Sequence, residues 1–295
     1  MRPSLRPAAL TLLAGLALPA PALTAQTEPP GAAAPAPAAA DEPAPTDAAE
    51  LPAHVRHWDA LLAAHVADGE VDYAALSADP APLDRTLAAM AAVDPAALTR
   101  DESLAFWVNA YNAFTLRLIL DHGSVDGGAD DGPSLQSIKD IPAGRRWKAR
   151  RWQVGEQRYS LDQIEHEILR PMGEPRVHFV LVCASRSCPD LPGEALLAAH
   201  LDAQLDTATR AFLADTTKGL TFASEPGALW GTNHVLRLSK IFDWFDDDFG
   251  DGERELVDFV LRHAPPAAAA WIRAHRDDLD VEHLDYDWSL NDRRS

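Results

Sequence analysis

The sequence predicts an α+β fold, a mostly helical single domain around a small central β-sheet. Two capping boxes each open a segment with apolar residues at helical spacing, and several short segments between and after them are alternating or rich in β-branched residues. Helical segments outnumber these strand segments. A mixed domain over residues 51–295 of the 295-residue chain is the most economical architecture for this pattern.

The first 50 residues are predicted to lie outside that domain. Residues 1–25 combine a short basic start, an apolar core at residues 8–18 and small residues before Ala22 or Ala25, which is typical of a cleaved export signal peptide. We therefore expect a periplasmic or secreted protein, in an environment that permits a disulfide. Residues 26–50 are mostly proline and alanine, so we predict a disordered linker.

The two best-defined helices begin at capping boxes. Thr99 and Glu102 open the segment ESLAFWVNAYNAFTLRLIL, and Ser160 and Gln163 open LDQIEHEILR. In a capping box the first side chain accepts from the third helical amide, and the third side chain accepts from the first residue's amide. A proline followed by Gly173 predicts the end of the second helix.

The predicted strands are shorter. The segment RRWQVGEQRYSL indicates a hairpin that turns at Gly155 and Glu156, and residues 176–183 (RVHFVLVC) indicate a strand covered on both faces. Farther along, the patterns predict a helix in EALLAAHLDAQLDTATRAFL, strands in GLTFA and HVLRL, a helix in ERELVDFVLRH, and a last strand leading into an aromatic turn in DLDVEHLDYDWSLN.

Composition excludes several classes of partner and ligand. A formal net charge of −19 argues against nucleic acid and anionic lipid, and no later apolar run is long enough for a membrane span. His54, His57 and His65 have helical spacing, but no acidic or thiol ligand completes a zinc site with them. The acidic segment FDDDFGDGE lacks the spacing of a calcium loop. We expect no cofactor and no metal ion.

The candidate site centres on the two cysteines of the chain. Cys183 ends the predicted strand, and strand ends are where such folds expose reactive groups. On the preceding helix, Glu165 falls within an apolar arc and His166 at its rim, so these residues are candidates for acid–base work or for a buried clamp. His178 would point to the sheet face opposite Cys183, which makes His166 the better partner for the thiol.

Two asparagines lie on the apolar face of the first capped helix. A buried amide without hydrogen-bond partners costs roughly 1–3 kcal/mol. We therefore expect Asn109 and Asn112 to hold another segment of the chain, and we favour this structural role over a catalytic one.

Seven motifs together resemble the domain-of-unknown-function 547 family. They are spread over residues 69–291, and the resemblance is specific to this set and order. In chain order they are GEVDY, FWVNAYNAFT, SIKDI, LDQIEHEILR, VHFVLVCASRSCP, LSKIFDWFDDDF and LDYDWSLN.

The resemblance implies an exported bacterial protein without an established reaction, because bacterial members often follow a signal peptide. Plant members carry the domain behind a coiled coil, which suggests scaffolding. Plant members keep the first cysteine but often have serine at the position of Cys188. An acidic, Gly-rich insertion at residues 123–136 departs from the family pattern and affects access at that edge. The recurrent polar positions of the family match Asn109, Asn112, Glu165, His166, Cys183 and Asp287.

Two functions remain open. We favour a non-catalytic binding or scaffold module for a protein, peptide or envelope component, with buried polar clamps and a local disulfide. The alternative is a thiol-dependent hydrolase or transferase in which Cys183 is the nucleophile, His166 the base, and Glu165 or Asn112 the group that orients the imidazole. This alternative is loosely similar to circularly permuted papain-like enzymes, because its histidine precedes its cysteine.

The cysteine pair adds an expectation about stability. A bridge between Cys183 and Cys188 closes such a short loop that it stabilises the folded state by only about 2 kcal/mol in the chain-entropy model. The four residues between them can turn tightly, so we expect the bridge to form part of the time and to be a weak staple.

Overall fold

The fold is arranged around one long, buried helix. The computed structural model describes residues 51–123, 135–227 and 231–293, so the predicted export signal, the linker and most of the acidic insertion lie outside the described residues. The elements of the first half are α1 (Ala53–His65), β1 (Val66–Ala67), β2 (Glu70–Val71), α2 (Tyr73–Ala78), α3 (Ala81–Ala91), α4 (Arg100–His122), α5 (Ala143–Arg146), β3 (Trp152–Val154) and β4 (Gln157–Tyr159).

Helix α4 is the central element. Its predicted capping box between Thr99 and Glu102 is present. Every residue from Leu104 to Leu116 is buried, including two asparagines, and a helix that is buried all round has neighbours on every side. The larger of the two apolar cores therefore forms around α4.

Helix α6 begins as predicted at the capping box of Ser160 and Gln163. Its α-helical start (Leu161–Gln163) continues as a wider, π-helical stretch (Ile164–Leu169) and then a 3-10 turn (Arg170–Met172). The chain leaves the helix at Gly173, whose φ of 68° lies in the left-handed region that glycine tolerates. The wider turn carries both acid–base candidates of this helix, and wider turns of this kind are frequent at functional sites.

The prediction of a strand at residues 176–183 was wrong. Pro175–Phe179 is a 3-10 helix, and irregular chain follows it to the cysteines. Part of the reason is that the side-chain amide of Asn112 takes backbone hydrogen bonds that a neighbouring strand would otherwise make. The expected alternation of faces therefore fails, and with it the argument that separated His178 from Cys183.

The second half packs on a second apolar core. The helix predicted from EALLAAHLDAQLDTATRAFL begins late, because the backbone of Leu196 is hydrogen-bonded to Asn109 instead of to a helical turn. The other predicted elements of this half are confirmed. Its elements are α7 (Leu201–Ala214), β5 (Leu220–Pro226), β6 (Thr232–Leu238), α8 (Ile241–Trp244), α9 (Glu253–His263), α10 (Pro266–His275) and β7 (Leu279–His283).

Strand content is divided among three small sheets. β1 pairs with β2 and β3 with β4, both antiparallel, and the second pair is the predicted hairpin. In the third sheet β6 lies between antiparallel β5 and parallel β7. The mixed α+β class is confirmed, with the sheets lying beside the helical core. None of the described helices is both long and apolar enough to cross a membrane.

The segment after β7 returns to the first half of the chain. Isolated bridges join Val71 to Asp292, Ser137 to Ser289 and Ser185 to Leu290. We call residues 284–292 the return segment. It brings two aromatic side chains next to the cysteines.

Candidate functional site around the two cysteines

A cavity of about 210 Å³ brings most of the predicted site residues together. Its lining includes residues from three parts of the chain: Glu165 and His166 of α6, His178 of the Pro175–Phe179 turn, and Cys183 and Cys188. The remaining lining residues are mainly aromatic or apolar: Tyr111, Trp147, Asp162, Leu181, Ile241, Trp244, Phe245, Tyr286 and Trp288.

The cysteines lie at the two ends of a tight turn. Ala184 has a φ of 57°, and this left-handed residue reverses the chain directly after Cys183. The backbone N–H of Cys183 donates to Cys188 Sγ at 2.8 Å, and the two Sγ atoms are 2.7 Å apart. No disulfide bond joins the two cysteines in this structure. The bridge stays a prediction.

The surroundings of Cys183 favour its thiolate. Its Sγ lies 3.1 Å from Ser185 Oγ and 3.3 Å from the hydroxyl of Tyr286. Burial opposes ionisation, but hydrogen bonds from Cys188, Ser185 and Tyr286 outweigh it and lower the pKa of the Cys183 thiol below its ordinary value. The half-buried Cys183 is thus the ionisable member of the pair.

The other partners of the thiolate stay protonated. Burial, together with the neighbouring Cys183, raises the pKa of the Cys188 thiol well above its usual range. Burial and the charges of both cysteines raise the pKa of Tyr286 far above the physiological range. Cys188 and Tyr286 therefore remain hydrogen-bond donors at neutral pH.

Glu165 is directed to a tyrosine. Its Oε2 accepts from the Tyr111 hydroxyl at 3.0 Å. Burial and the adjacent carboxylate raise the pKa of Tyr111, so this phenol stays a donor. The structure therefore joins Glu165 to α4, whereas the catalytic hypothesis has it orient the imidazole of His166.

His166 is bound by an arginine. Its Nδ1 lies 3.0 Å from Arg170 Nη1, and because a guanidinium only donates, Nδ1 must be the acceptor. The neutral ring then carries its proton on Nε2. Both His166 and Cys183 line the cavity, yet in this form the ring has no free acceptor nitrogen for the proton of the thiol. The role of His166 as base stays a prediction.

A polar network continues from Arg170 to His178. The guanidinium makes two hydrogen bonds to Asp248, at 2.6 and 3.0 Å, and Asp248 Oδ2 also lies 2.7 Å from His178 Nε2. Burial opposes the charge of Asp248, but hydrogen bonds from His178 and Arg170 outweigh it and lower the pKa of this carboxyl well below its usual range. The buried ring of His178 stacks on Phe245 at 4.2 Å.

The asparagines hold the backbone, as predicted. Asn112 donates to Val180 O at 2.8 Å and accepts from Val182 N at 2.9 Å. Asn109 makes the same pair of bonds with the N–H and C=O of Leu196. Both amide atoms of Asn112 are thus engaged by the chain before Cys183, and the structure places this residue away from the imidazole-orienting position of the hypothesis.

Asp287 shapes the return segment. Its Oδ1 accepts from the backbone N–H and the hydroxyl of Ser289, and these bonds lower the pKa of the Asp287 carboxyl. Its own N–H donates to Ser187 Oγ, between the two cysteines. Asp287 therefore positions Tyr286 next to Cys183 without lining the cavity itself.

Sequence reasoning missed five residues that make hydrogen bonds in this site. All five lie within quoted family motifs, which was the only signal for them. Cys183 and Tyr286 are 103 positions apart, and no pattern in the sequence joins the two. The five are Tyr111, Arg170, Ser185, Asp248 and Tyr286.

Comparison with known proteins identifies a family without an assigned reaction. Residues 95–213 match the family model described as "Protein of unknown function, DUF547". No curated protein and no solved structure matches the chain. The matched segment contains α4, α6 and both cysteines, whereas Asp248 and the return segment lie beyond it. Residues 95–213 thus match the DUF547 family model, in agreement with the resemblance that the sequence motifs predicted.

Proposed function

We propose that the domain is a thiol-dependent hydrolase or transferase whose nucleophile is Cys183. The observation that carries this proposal is the set of hydrogen-bonding groups around the thiol. Ser185, Tyr286 and Cys188 all lie within hydrogen-bond distance of Cys183 Sγ, and the Ser185 hydroxyl also donates to the Tyr286 hydroxyl at 3.2 Å. A buried thiol without such donors would be harder to ionise and inert. Here the donors favour the reactive thiolate beside an open cavity.

The cavity wall indicates the class of substrate. Trp147, Trp244, Phe245 and Trp288 give it an aromatic lining, and Trp244 is 43% exposed. Such a lining favours an apolar or aromatic group of a peptide or envelope component. A volume of about 210 Å³ suits one side chain or a small acyl group better than a large ligand.

The proposed chemistry is acyl transfer. The Cys183 thiolate attacks an acyl carbon, a sulfur–carbon bond forms, and the bond to the leaving group breaks as that group takes up a proton. Water then cleaves the thioester in a hydrolase, and another acceptor does so in a transferase. The proton that Cys183 loses on ionisation reaches the leaving group through solvent, because a neutral His166 ring whose Nδ1 is held by Arg170 is a poor acid.

The test is the pH dependence of Cys183 alkylation by iodoacetamide, read by peptide mass spectrometry so that Cys188 is scored separately. We expect a midpoint below the free-cysteine value of about 8.5. Tyr286→Phe removes a donor and Ser185→Ala removes the hydroxyl that contacts both the thiol and Tyr286, so each should raise the midpoint by roughly 0.5–1.5 units. The control Tyr159→Phe, which removes a phenol from strand β4, should leave it unchanged.

Two results would count against this proposal. One is a wild-type midpoint at or above the free-cysteine value, and the other is a midpoint that neither donor variant moves. His166→Ala separates two forms of the mechanism: a midpoint within about 0.3 units of wild type supports activation by donors, and a larger rise supports a His166 base.

A binding module is the second candidate, and the aromatic cluster at the cavity favours it. The rings of Trp244, Tyr286 and Trp288 lie 4.6–5.5 Å apart, and exposed aromatic surface beside a cavity is typical of a docking site. If the domain is a binding module, iodoacetamide should alkylate Cys183 slowly, with a pH midpoint near the free-cysteine value of about 8.5.

The proposal includes a location in the periplasm or outside the cell. It is supported by the pattern of residues 1–25, with their basic start and short apolar core. Mass spectrometry of the protein from its native host should find a mature N-terminus directly after Ala22 or Ala25.

A further inference from the structure

A second cluster of potential ligands lies on the three-stranded sheet, away from the cysteines. It consists of His234, His275 and Asp278, each of which offers a donor atom within 4.8 Å of the other two. His234 is in the middle strand β6, His275 is the last residue of α10, and Asp278 directly precedes β7. The cluster thus joins three elements that adjoin one another in the fold.

The ring of His234 is oriented as a metal ligand would be. Its Nδ1 lies 2.9 Å from the hydroxyl of Ser224, its cross-strand neighbour in β5. Its Nε2 lies 3.7 Å from Asp278 Oδ2, which is longer than a hydrogen bond. One ring nitrogen is therefore held by a neighbouring side chain while the other faces the cluster, the arrangement that second-sphere partners give to metal-binding histidines.

The second imidazole is held beside the first. The rings of His234 and His275 are stacked with centroids 3.6 Å apart, and Trp271 contacts both. The side chain of His234 is only 14% exposed, whereas Asp278 reaches solvent. The stack therefore keeps the two imidazoles beside each other and close to the exposed carboxylate of Asp278.

We propose that His234, His275 and Asp278 bind a zinc ion, with water as the fourth ligand. Two imidazole nitrogens and one carboxylate oxygen are a donor set suited to Zn²⁺. Ligand atoms around tetrahedral zinc are about 3.3 Å apart. Binding therefore requires side-chain rotations that shorten the present separations of up to 4.8 Å and turn the two stacked rings toward one point. The ion ties the end of α10 and the start of β7 to the middle strand of the sheet.

The test titrates the full chain with Zn²⁺ alone, by calorimetry after removal of metal by chelation. Because the thiols can also bind zinc, the titration uses the variant Cys183→Ser/Cys188→Ser as background. We expect one equivalent of Zn²⁺ with micromolar affinity. His275→Ala and Asp278→Asn should each weaken binding at least about tenfold, and Ser224→Ala roughly tenfold.

Matched readouts separate a site from general loss of structure. His200→Ala, in a different part of the chain, should bind zinc within about twofold of the background variant. Each ligand variant should unfold in chelator at the temperature of the background variant, whereas added Zn²⁺ should raise this temperature only in proteins with an intact cluster.

Three results would overturn the proposal. Zinc binding by the wild type that disappears in the Cys183→Ser/Cys188→Ser variant would place the zinc at the thiols. Equal affinity in the background, His275→Ala and Asp278→Asn proteins would place it elsewhere on the surface. No detectable binding by the background variant at tenfold excess over a micromolar constant would remove the site altogether.

Discussion

Individual amide side chains fix the backbone around the cysteines. Asn112 is 2% exposed, and its two amide atoms replace the strand partners that Val180 and Val182 lack. Removing such a side chain leaves a buried carbonyl and a buried N–H without partners, and each such group costs roughly 1–3 kcal/mol. The residues before Cys183 therefore depend on one side chain of α4.

Asn112→Ala should lower the free energy of unfolding by about 2–4 kcal/mol, because two buried backbone groups lose their partners. Denaturant unfolding followed by circular dichroism measures this. Thr115→Val, one turn farther along the same helix, is the control: the Thr115 hydroxyl is buried without a hydrogen-bond partner among the described residues, so its removal should be neutral or stabilising. Equal losses in the two variants would contradict the clamp role of Asn112.

At the scale of single residues, the sequence predicted those roles that follow from helical periodicity. Polar residues on the apolar face of α4 had to find partners, and Asn109 and Asn112 did. The partners of these residues could not be predicted, because periodicity describes one helix and carries no information about the segment packed against it. Tyr111, on the same helix, binds Glu165, and helical periodicity does not distinguish it from its apolar neighbours.

At the scale of elements, one ionic contact joins α6 to the chain around α8. Arg170, which follows the π-helical stretch, binds Asp248 through two hydrogen bonds, and Asp248 also holds His178 of the Pro175–Phe179 turn. Three separate elements thus meet at one carboxylate whose side chain is only 20% exposed. Partial burial makes this contact stronger than an ion pair on the surface.

Asp248→Asn should lower the free energy of unfolding at pH 7 by about 2–3 kcal/mol. The folded state lowers the pKa of this carboxyl, so the stabilisation is complete above the unfolded-state pKa of about 3.9 and is lost as the pH falls through the lower folded-state pKa. The difference between wild type and variant should therefore shrink below about pH 4.

Urea unfolding at a series of pH values measures this difference. Asp247→Asn changes the exposed neighbouring carboxylate and should alter stability by less than about 0.5 kcal/mol. If the effect of Asp248→Asn stays constant from pH 7 to pH 3, the lowered pKa is not its cause.

Elements with strong local determinants were predicted well. The capping boxes place the starts of α4 and α6, and Gly155 lies in the turn of the hairpin. The apolar run at residues 176–183 was misread because a buried strand and a buried irregular segment have the same composition. What distinguishes them is where their backbone groups find partners, and here that partner is Asn112, far away in sequence.

At the scale of the whole molecule, the return segment closes the structure. It pairs with the cysteine turn through backbone bonds from Arg186 and Ser187. It also reaches the N-terminal helices, where the buried hydroxyl of Tyr73 donates to Asn291 Oδ1 at 2.9 Å. The Tyr73–Asn291 bond joins residues 218 positions apart, so the segment links the two ends of the described fold.

A double-mutant cycle with Tyr73→Phe and Asn291→Ala should give a coupling energy of about 0.5–1.5 kcal/mol, since each change removes one side of the same buried hydrogen bond. Asn291→Ala alone should cost about 1–3 kcal/mol, because it leaves the buried phenol without its acceptor. Thermal or denaturant unfolding of the four proteins measures the cycle. Strict additivity would mean that the two residues act independently.

The fold class was predictable because helices and strands could be counted, but their spatial arrangement was not. The sequence suggested one central sheet, whereas the described strands form three sheets. The two hairpins contribute to the core around α4, and the three-stranded sheet contributes to the second core. The parallel pairing of β6 with β7 across three intervening helices, and the return segment after it, depend on contacts between distant residues. Local patterns do not specify such contacts.

The return segment also sets the order in which the thiol site can mature during synthesis. Cys183 leaves the ribosome 103 residues before Tyr286, a delay of roughly 5–20 s at about 5–20 residues per second. During that interval the thiol lacks the phenol that favours its ionised form, and the cavity lacks part of its aromatic wall. A nascent chain therefore carries a less activated cysteine, and full activation awaits the last part of the fold.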